Sequence, residues 1–358
     1  MQDIINKRGA LRKLTDEEFE ILLPSLANEL ETHGILYEDY DRKTILKDWK
    51  ALCKKSLQNH EPTDTTNIAV NNISATNISA TNTAGMKVMK QYMKHFYEVA
   101  NYKGVSIKSL WKREFLEKAL RFNRKNHSTP YASEIIRSLG FTNGLGKVTM
   151  YRPLMARNII HYFQATSVLD VCAGWGGRML GAKSLGEHIL YTGIEPCKKT
   201  FSNLCTICNE LDLQNIILVN EKAEDFLDSL SDSAKFDIAL TSPPYFNLEV
   251  YSDEPTQSIS GEKDYQTWLN IFLEPVITKV LRRVTYSCWS VKNFKTDKKY
   301  DLFTDVVRIH KEHGWKLLDI VFTMSNSKRP GANSNFTPKK TEESTYVFVK
   351  QCDDVSVN

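Results

Sequence analysis

Three short segments carry residue types whose spacing can do chemistry. The first is Thr241-Ser242-Pro243-Pro244-Tyr245-Phe246. Adjacent prolines donate no backbone hydrogen bond and cannot extend a strand. They leave rigid carbonyls where the strand stops, and those carbonyls and the Ser242 hydroxyl are acceptors suited to an amine. Tyr245 and Phe246 offer faces on which a planar ring can stack. The second is Leu169-Asp170-Val171-Cys172-Ala173-Gly174-Trp175-Gly176-Gly177. It follows an apolar run, and its glycines let the backbone turn tightly and approach a ligand. The third is Gly193-Ile194-Glu195-Pro196, in which Glu195 lies 25 positions after Asp170. An acidic residue at about that distance from a glycine-rich turn is placed to accept hydrogen bonds from ribose hydroxyls.

Other chemistries find no support in the spacing. There is no Gly-x-x-x-x-Gly-Lys-Ser/Thr, which argues against a P-loop nucleotide hydrolase. Cys197 follows a proline but stands after the second strand pattern, the wrong place for a nucleophile that attacks a pyrimidine ring. Cys205 and Cys208 have zinc spacing but fall inside a helical pattern with no second pair nearby, and His161, His188, His310 and His313 form no ligand pattern. No metal is expected. The seven cysteines are odd in number and scattered, so no disulfide framework is implied.

The elements that must position these segments are legible as a change of pattern near Tyr151. Beyond it, apolar runs alternate with amphipathic stretches. Strands are expected at Val168–Cys172, Ile189–Ile194, Ile216–Val219, Phe236–Leu240, Tyr286–Val291, Trp315–Thr323 and Thr345–Lys350. Between them, helices are expected at Lys198–Leu211, Glu224–Leu230, Tyr265–Val284 and Leu302–His313. Strands apolar on both faces, alternating with helices, indicate a mainly parallel sheet covered on both sides. Before Tyr151 the pattern is helical. Leu11, Leu14, Phe19, Leu22, Leu23, Leu26 and Leu30 form one apolar stripe, and Thr15 with Glu18 makes a capping box. Further helices are expected over Met86–Tyr102, Ser106–Asn126 and Tyr131–Leu139. Residues 65–85 carry no charge and contain Asn72-Ile73-Ser74-Ala75-Thr76 repeated as Asn77-Ile78-Ser79-Ala80-Thr81, which reads as a low-complexity linker.

The chain of 358 residues is 41% hydrophobic and 25% charged, a globular composition, with no apolar run long enough to span a membrane and no signal-peptide layout. An intracellular location is the resulting expectation. The net charge of +4 conceals an uneven distribution: −3 over residues 1–85, +9 over 86–150 and −2 over 151–358. The expected organisation is a helical N-terminal arm (1–62), a linker (63–85), a basic helical region (86–150) and a catalytic domain (151–352). The basic region is a candidate for phosphate contacts through Lys112, Arg113, Arg121, Arg124 and Lys125. Lys328 and Arg329, in the Ser325–Thr341 stretch rich in Ser, Asn, Lys, Gly and Pro, are a second candidate.

Taken together, the three motifs resemble the S-adenosylmethionine-dependent amino-methyltransferases of DNA bases. Members carry Asp-x-x-x-Gly-x-Gly after the first strand, an acidic residue after the second, and Asp/Asn/Ser-Pro-Pro-Tyr/Phe after the fourth. Here these are Asp170 with Gly174 and Gly176, then Glu195, then Ser242-Pro243-Pro244-Tyr245, in the gamma-like order and over roughly residues 150–350. The resemblance implies a Rossmann-like α/β methyltransferase fold with S-adenosyl-L-methionine as cofactor. It further implies a cofactor site of Asp170, Ala173, Gly174, Gly176 and Glu195, with Pro153 beside the methionine end, and catalysis by Ser242, Pro243, Pro244 and Tyr245. It implies DNA as partner, methylated on cytosine N4 slightly ahead of adenine N6, with Tyr245 stacked on an extruded base. The family's usual Asp after the third strand is missing. Lys222 stands at that place, and Glu224 or Asp225 is the expected substitute. An RNA base N-methyltransferase is the alternative within the same family. A nucleic-acid-binding protein that kept the fold but lost catalysis is the alternative from another class.

Overall fold

The computed structural model describes residues 3–56, 75–76, 83–126, 129–145, 149–259, 264–323 and 343–351, the pair 75–76 by backbone alone. The chain forms two compact units. One gathers residues 1–40, 93–149 and 247–253, and the other residues 41–92, 150–246 and 254–358. This differs from the linear division expected from composition. Residues 41–56, expected in the arm, and 86–92, expected in the basic region, belong with the sheet-bearing unit, and most of the expected linker lies outside the described residues.

In the first unit the Asp16–His33 helix starts at the expected capping box, with Glu18 N–H donating to Thr15 Oγ1 at 3.2 Å and Thr15 N–H to Glu18 Oε2 at 2.7 Å. Its stripe of Phe19, Leu23, Leu26, Ala27 and Leu30 is buried together with Leu116, Ala119 and Leu120 of the Arg113–Lys125 helix and Ile135 and Leu139 of the Ala132–Thr142 helix. The helix expected over Ser106–Asn126 is broken. Ile107–Leu110 is a single turn, and Trp111 and Lys112 leave helical geometry before the helix restarts at Arg113. The break aims the buried Trp111 indole at the end of the first helix, where its Nε1–H donates to Leu30 O at 2.9 Å. Met86–Tyr102 likewise divides, into a helix Met86–Tyr92, a 3-10 turn Lys94–Glu98 and a two-residue strand Ala100–Asn101.

The second unit is built on seven main strands: β1 Ser167–Asp170, β2 Leu190–Ile194, β3 Ile216–Val219, β4 Phe236–Thr241, β5 Val284–Val291, β6 Trp315–Thr323 and β7 Ser344–Lys350. Their order across the sheet is β3-β2-β1-β4-β5-β7-β6, and the two-residue strand Ala75–Thr76 runs parallel to β6 at its edge. β7 is antiparallel to both its neighbours, and β1 to β5 pair in parallel. All seven expected strands are present, with ends within two residues of the expected ones. Consecutive buried residues Ile238, Ala239, Leu240 and Thr241 on β4 require cover on both faces of the sheet. The architecture is therefore the Rossmann-like, mainly parallel α/β sheet expected. The chain runs outward from β1 through β2 to β3 and then returns to the other side of β1 as β4, so the topological switch lies between β1 and β4. Ligands of such sheets bind at the carboxyl ends of the strands flanking that switch.

Two glycines bring the helices on either side of β1 in the chain against each other. A Cβ on Gly177 would sit 2.1 Å from Tyr151 O, and one on Gly181 would sit 2.5 Å from Pro153 O and from Ala156 Cβ. The helix Gly177–Lys183 can therefore lie directly on the helix Pro153–Tyr162, whose Pro153 occupies the first position where a missing N–H is harmless. The expected single helix Tyr265–Val284 is interrupted by a π-helical turn, Leu269–Leu273, between Tyr265–Trp268 and Glu274–Leu281. Among the described residues, no helix is long and apolar enough to cross a membrane.

Candidate active site

The carboxyl ends of β2, β1 and β4 hold the three motifs side by side. Asp170 pairs with Gly193 across β1 and β2, and Leu169 pairs with Ala239 across β1 and β4. Glu195 and Ser242 thus stand just past the same edge, on either side of β1. At about 4.8 Å between neighbouring strands they are separated by roughly 10 Å in the sheet direction.

Glu195 is held by the glycine-rich turn itself. Gly174 N–H donates to Glu195 Oε2 at 2.9 Å and Cys197 N–H to Glu195 Oε1 at 2.9 Å. Each carboxylate oxygen keeps further lone pairs for a ligand. Burial pushes the Glu195 carboxyl up to about 7, against the pull of those two N–H donors. Gly174 and Gly176 have φ of +54° and +83°, the left-handed region that favours glycine. Around the Gly174 Cα the space is open, with Cys172 O at 3.7 Å the nearest atom to an added Cβ. Ala173 N–H donates to Ile194 O at 2.8 Å and ties the turn to the end of β2. Asn220, to which sequence reasoning gave no role, follows β3 and donates to Glu195 O at 2.8 Å and Pro196 O at 3.0 Å.

Asp170 is placed differently from expectation. Its carboxylate is fully buried and accepts from Arg178 Nε at 2.8 Å, Tyr191 OH at 2.7 Å and Cys172 N at 3.3 Å. Arg178 also donates to Cys172 O and lies 5.0 Å over the Tyr151 ring. These are internal partners, so Asp170 shapes the turn and presents no open face to a ligand. The Asp-x-x-x-Gly spacing does not reveal the Arg178 and Tyr191 partners, because they come from the following helix and from β2. Glu224, the expected substitute for the missing Asp, is the second residue of the Ala223–Ser229 helix, half-buried, with its carboxyl raised by burial. Asp225 is exposed.

Strand pairing between β4 and β5 ends at Thr241 opposite Trp289, where the prolines begin. Ser242 Oγ–H donates to Glu343 Oε1 at 2.6 Å, and Ser290 O lies 3.2 Å from the same oxygen. A buried hydroxyl network stands beside it: Ser290 Oγ and Thr345 Oγ1 are 2.7 Å apart, and Tyr151 OH is 3.4 Å from Thr345 Oγ1. Pro243 is buried and Pro244 half-buried. Tyr245, expected to present a stacking face, is only 5% exposed, its ring 5.7 Å from Phe294 with Lys292 Nζ 5.8 Å above it. Phe246, at φ +45°, is buried among Tyr265, Trp268 and Tyr300. In this conformation neither ring offers a face to a ligand.

The candidate phosphate-binding residues of the first unit are largely engaged. Arg121 pairs with Glu20, and Arg113 Nε donates to Glu117 at 2.9 Å. Arg124 donates to Asp16 at 2.7 Å, Leu14 O at 2.9 Å and Leu11 O at 3.2 Å, and lies over the Phe19 ring at 4.7 Å. Lys112 and Lys125 are exposed. Lys328 and Arg329 lie outside the described residues.

No family model matches the chain. Over 90 residues it is 33% identical to the ribosomal RNA small subunit methyltransferase G of Clostridium botulinum (strain ATCC 19397 / Type A). The same protein from the Okra strain is 32% identical over 90 residues. Each match takes in 25% of this chain and 37% of the relative, so the chain spans little more than a third of the length of these curated relatives. Among solved structures it is similar to a precorrin-6y C5,15-methyltransferase from Geobacter metallireducens, at 16% identity over 57% of this chain and 91% of that one, with a TM-score of 0.38. It is also similar to TrmN from Thermus thermophilus, at 14% identity over 55% of this chain and 48% of that one, with a TM-score of 0.37. Scores at this level lie below what a shared fold requires, and the Rossmann-like assignment stands on the strand order itself.

Proposed function

We propose that the chain is an S-adenosyl-L-methionine-dependent methyltransferase that modifies an exocyclic amine of a nucleic-acid base, with RNA as the substrate class. The observation that carries this reading is the placement of Glu195 and Ser242 at one edge of the sheet, flanking the topological switch. The residues present fit the cofactor. An acidic acceptor held by two backbone N–H groups suits ribose hydroxyls, and the open space at Gly174 admits a ligand against the backbone. When bound, S-adenosyl-L-methionine supplies an electrophilic methyl group. The chain supplies position and acceptors. A base amine is a poor nucleophile because its lone pair is delocalised into the ring. The Ser242 oxygen and the Pro243 carbonyl accept its N–H bonds and favour a pyramidal, more electron-rich nitrogen. Pro244 and Tyr245 hold the shape of that loop, and Tyr245 reaches a base only after moving out from beneath Lys292.

RNA is preferred because the relatives at 32–33% identity carry ribosomal RNA in their names. DNA, with cytosine N4 ahead of adenine N6, is the second reading, favoured by the Thr-Ser-Pro-Pro-Tyr form. Glu195, Gly174, Gly176 and Ala173 are the proposed cofactor site, with Glu224 on its adenine side and Pro153 behind it. Incubation with methyl-labelled cofactor and separate RNA and DNA, followed by nucleoside mass spectrometry, tests the reading. An N-methylated ribonucleoside is the expected product. N4-methyldeoxycytidine or N6-methyldeoxyadenosine supports the second reading, and methyl on a ring carbon sinks both.

A further inference from the structure

The Ser242 hydroxyl has one proton, and its two acceptors are unequal. Glu343 is a carboxylate at 2.6 Å, and Ser290 O is a neutral carbonyl at 3.2 Å. An O–H···O⁻ bond of that length is charge-assisted and roughly twice as strong as a neutral one. The proton is therefore committed to Glu343, and what Ser242 turns toward any other group is lone pairs. We propose that Glu343 is a positioning residue that fixes Ser242 as an acceptor and thereby selects a base bearing a hydrogen-bond-donating amine over one bearing a keto oxygen. This deepens the methyltransferase reading and rests on it for the identity of the site.

The placement supports the role. Glu343 immediately precedes β7, and Ser344 pairs with Val291 on β5, so the carboxylate is anchored by the sheet with only β5 between it and the strand that leads into the Ser242 loop. The neighbouring Ser290, Thr345 and Tyr151 hydroxyls bond among themselves. Without Glu343 the hydroxyl could turn its proton outward. A keto base would then be met by a donor, and the amine by an O–H pointed at its N–H. The discrimination arises from leaving the wrong partner unpaired in a partly buried site, the form of selectivity that hydrogen-bonding pockets achieve best.

The test has one arm that needs no turnover. Calorimetric binding of cytidine monophosphate against uridine monophosphate, and of adenosine monophosphate against inosine monophosphate, compares amine with keto at the same ring position. The wild-type protein should favour the amine member of at least one pair by about tenfold, and Glu343→Met, which leaves no side-chain acceptor for the Ser242 proton there, should abolish that preference. Absence of a preference in the wild-type protein, or of binding to any of the four, overturns the proposal. The second arm reads catalysis. Glu343→Gln should lower kcat by about 10–100-fold with cofactor affinity unchanged, as loss of one charged hydrogen bond implies. Ser242→Asp should be poorly active because it sets a second carboxylate against Glu343. The double variant Ser242→Asp/Glu343→Gln should recover activity above either single variant, because the amide can donate to the new carboxylate. Merely additive losses would mean a structural role for Glu343 and overturn the proposal. A wild-type protein that shows the amine preference but transfers no methyl group to RNA or DNA sinks the methyltransferase reading and leaves the role of Glu343 standing.

Discussion

Two buried carboxylates at the same edge of the sheet have opposite duties, and their environments say which. Asp170 has a guanidinium and a phenol as partners, whereas Glu195 has two backbone N–H groups and a carboxyl raised to about 7 by burial. Asp170→Asn leaves Arg178 buried without its counter-charge, and unfolding in urea should show a loss of ~3–5 kcal/mol. A variant of unchanged stability but weakened cofactor binding would return Asp170 to the ligand site. Glu195 should instead be read through pH. Its folded value lies above the ordinary 4.5, so the folded protein holds a proton that the unfolded chain releases between about 4.5 and 7. Its contribution to stability is full below that window and is lost as pH rises through about 7. Cofactor affinity should move the other way, tightening by about tenfold as the carboxylate ionises, because charged acceptors bind hydroxyls more strongly than neutral ones. Titration of cofactor Kd from pH 5.5 to 8.5 measures this, and Glu195→Gln should flatten the curve. The motif spacing singled out Glu195 as a candidate ligand group. It could not show that Asp170 is used internally, or that Glu343 reaches Ser242, since that contact joins residues 101 positions apart.

At the scale of elements, the strands were legible because buried parallel strands are short, apolar and bounded by turns, and the expected ends agree closely with β1 to β7. The helices were legible in position but not in continuity. Ser106–Asn126 breaks so that Trp111 can reach Leu30 O, and the helix after Tyr265 passes through a π turn at Leu269–Leu273. The first break answers to a tertiary partner that local periodicity does not contain. Gly177 is a further case. Its role is set by the Tyr151 carbonyl lying where a Cβ would go, a backbone atom that cannot swing away. Gly177→Ala should force the Gly177–Lys183 and Pro153–Tyr162 helices apart and lower stability by ~1–3 kcal/mol, measured by thermal or urea unfolding. Gly140→Ala, a helical glycine whose added carbon would meet nothing nearer than 3.8 Å, controls for placing a methyl group in a helix. A loss no greater than in that control would mean the helix contact yields easily.

For the whole molecule, the net charge of +4 is spread as −3, +9 and −2 over three stretches, and the structure shows how much of the +9 is already answered. Arg121 and Arg124 are paired with Glu20 and Asp16 of the −3 stretch, and Arg113 with Glu117 of its own helix. A cation that already holds a carboxylate releases few counterions on meeting a phosphate, so its share of the salt dependence is small. Lys112, just before the Arg113–Lys125 helix, and Lys125, at its end, are exposed and are the better candidates for phosphate contacts. Each phosphate contact to a single strand contributes about 0.7 to the slope of log K against log salt. Neutralising Lys112 and Lys125 together should therefore flatten the slope for a single-stranded RNA by about 1.4, with cofactor affinity unchanged. Arg121→Gln with Arg124→Gln should alter the slope less. It should lower the stability of the first unit more, because Arg124 also donates to Leu11 O and Leu14 O. A slope untouched by the lysine pair but flattened by neutralising Lys328 and Arg329 would place the RNA face on the Ser325–Thr341 segment. A slope most sensitive to Arg121 and Arg124 would mean that their ion pairs open when nucleic acid binds.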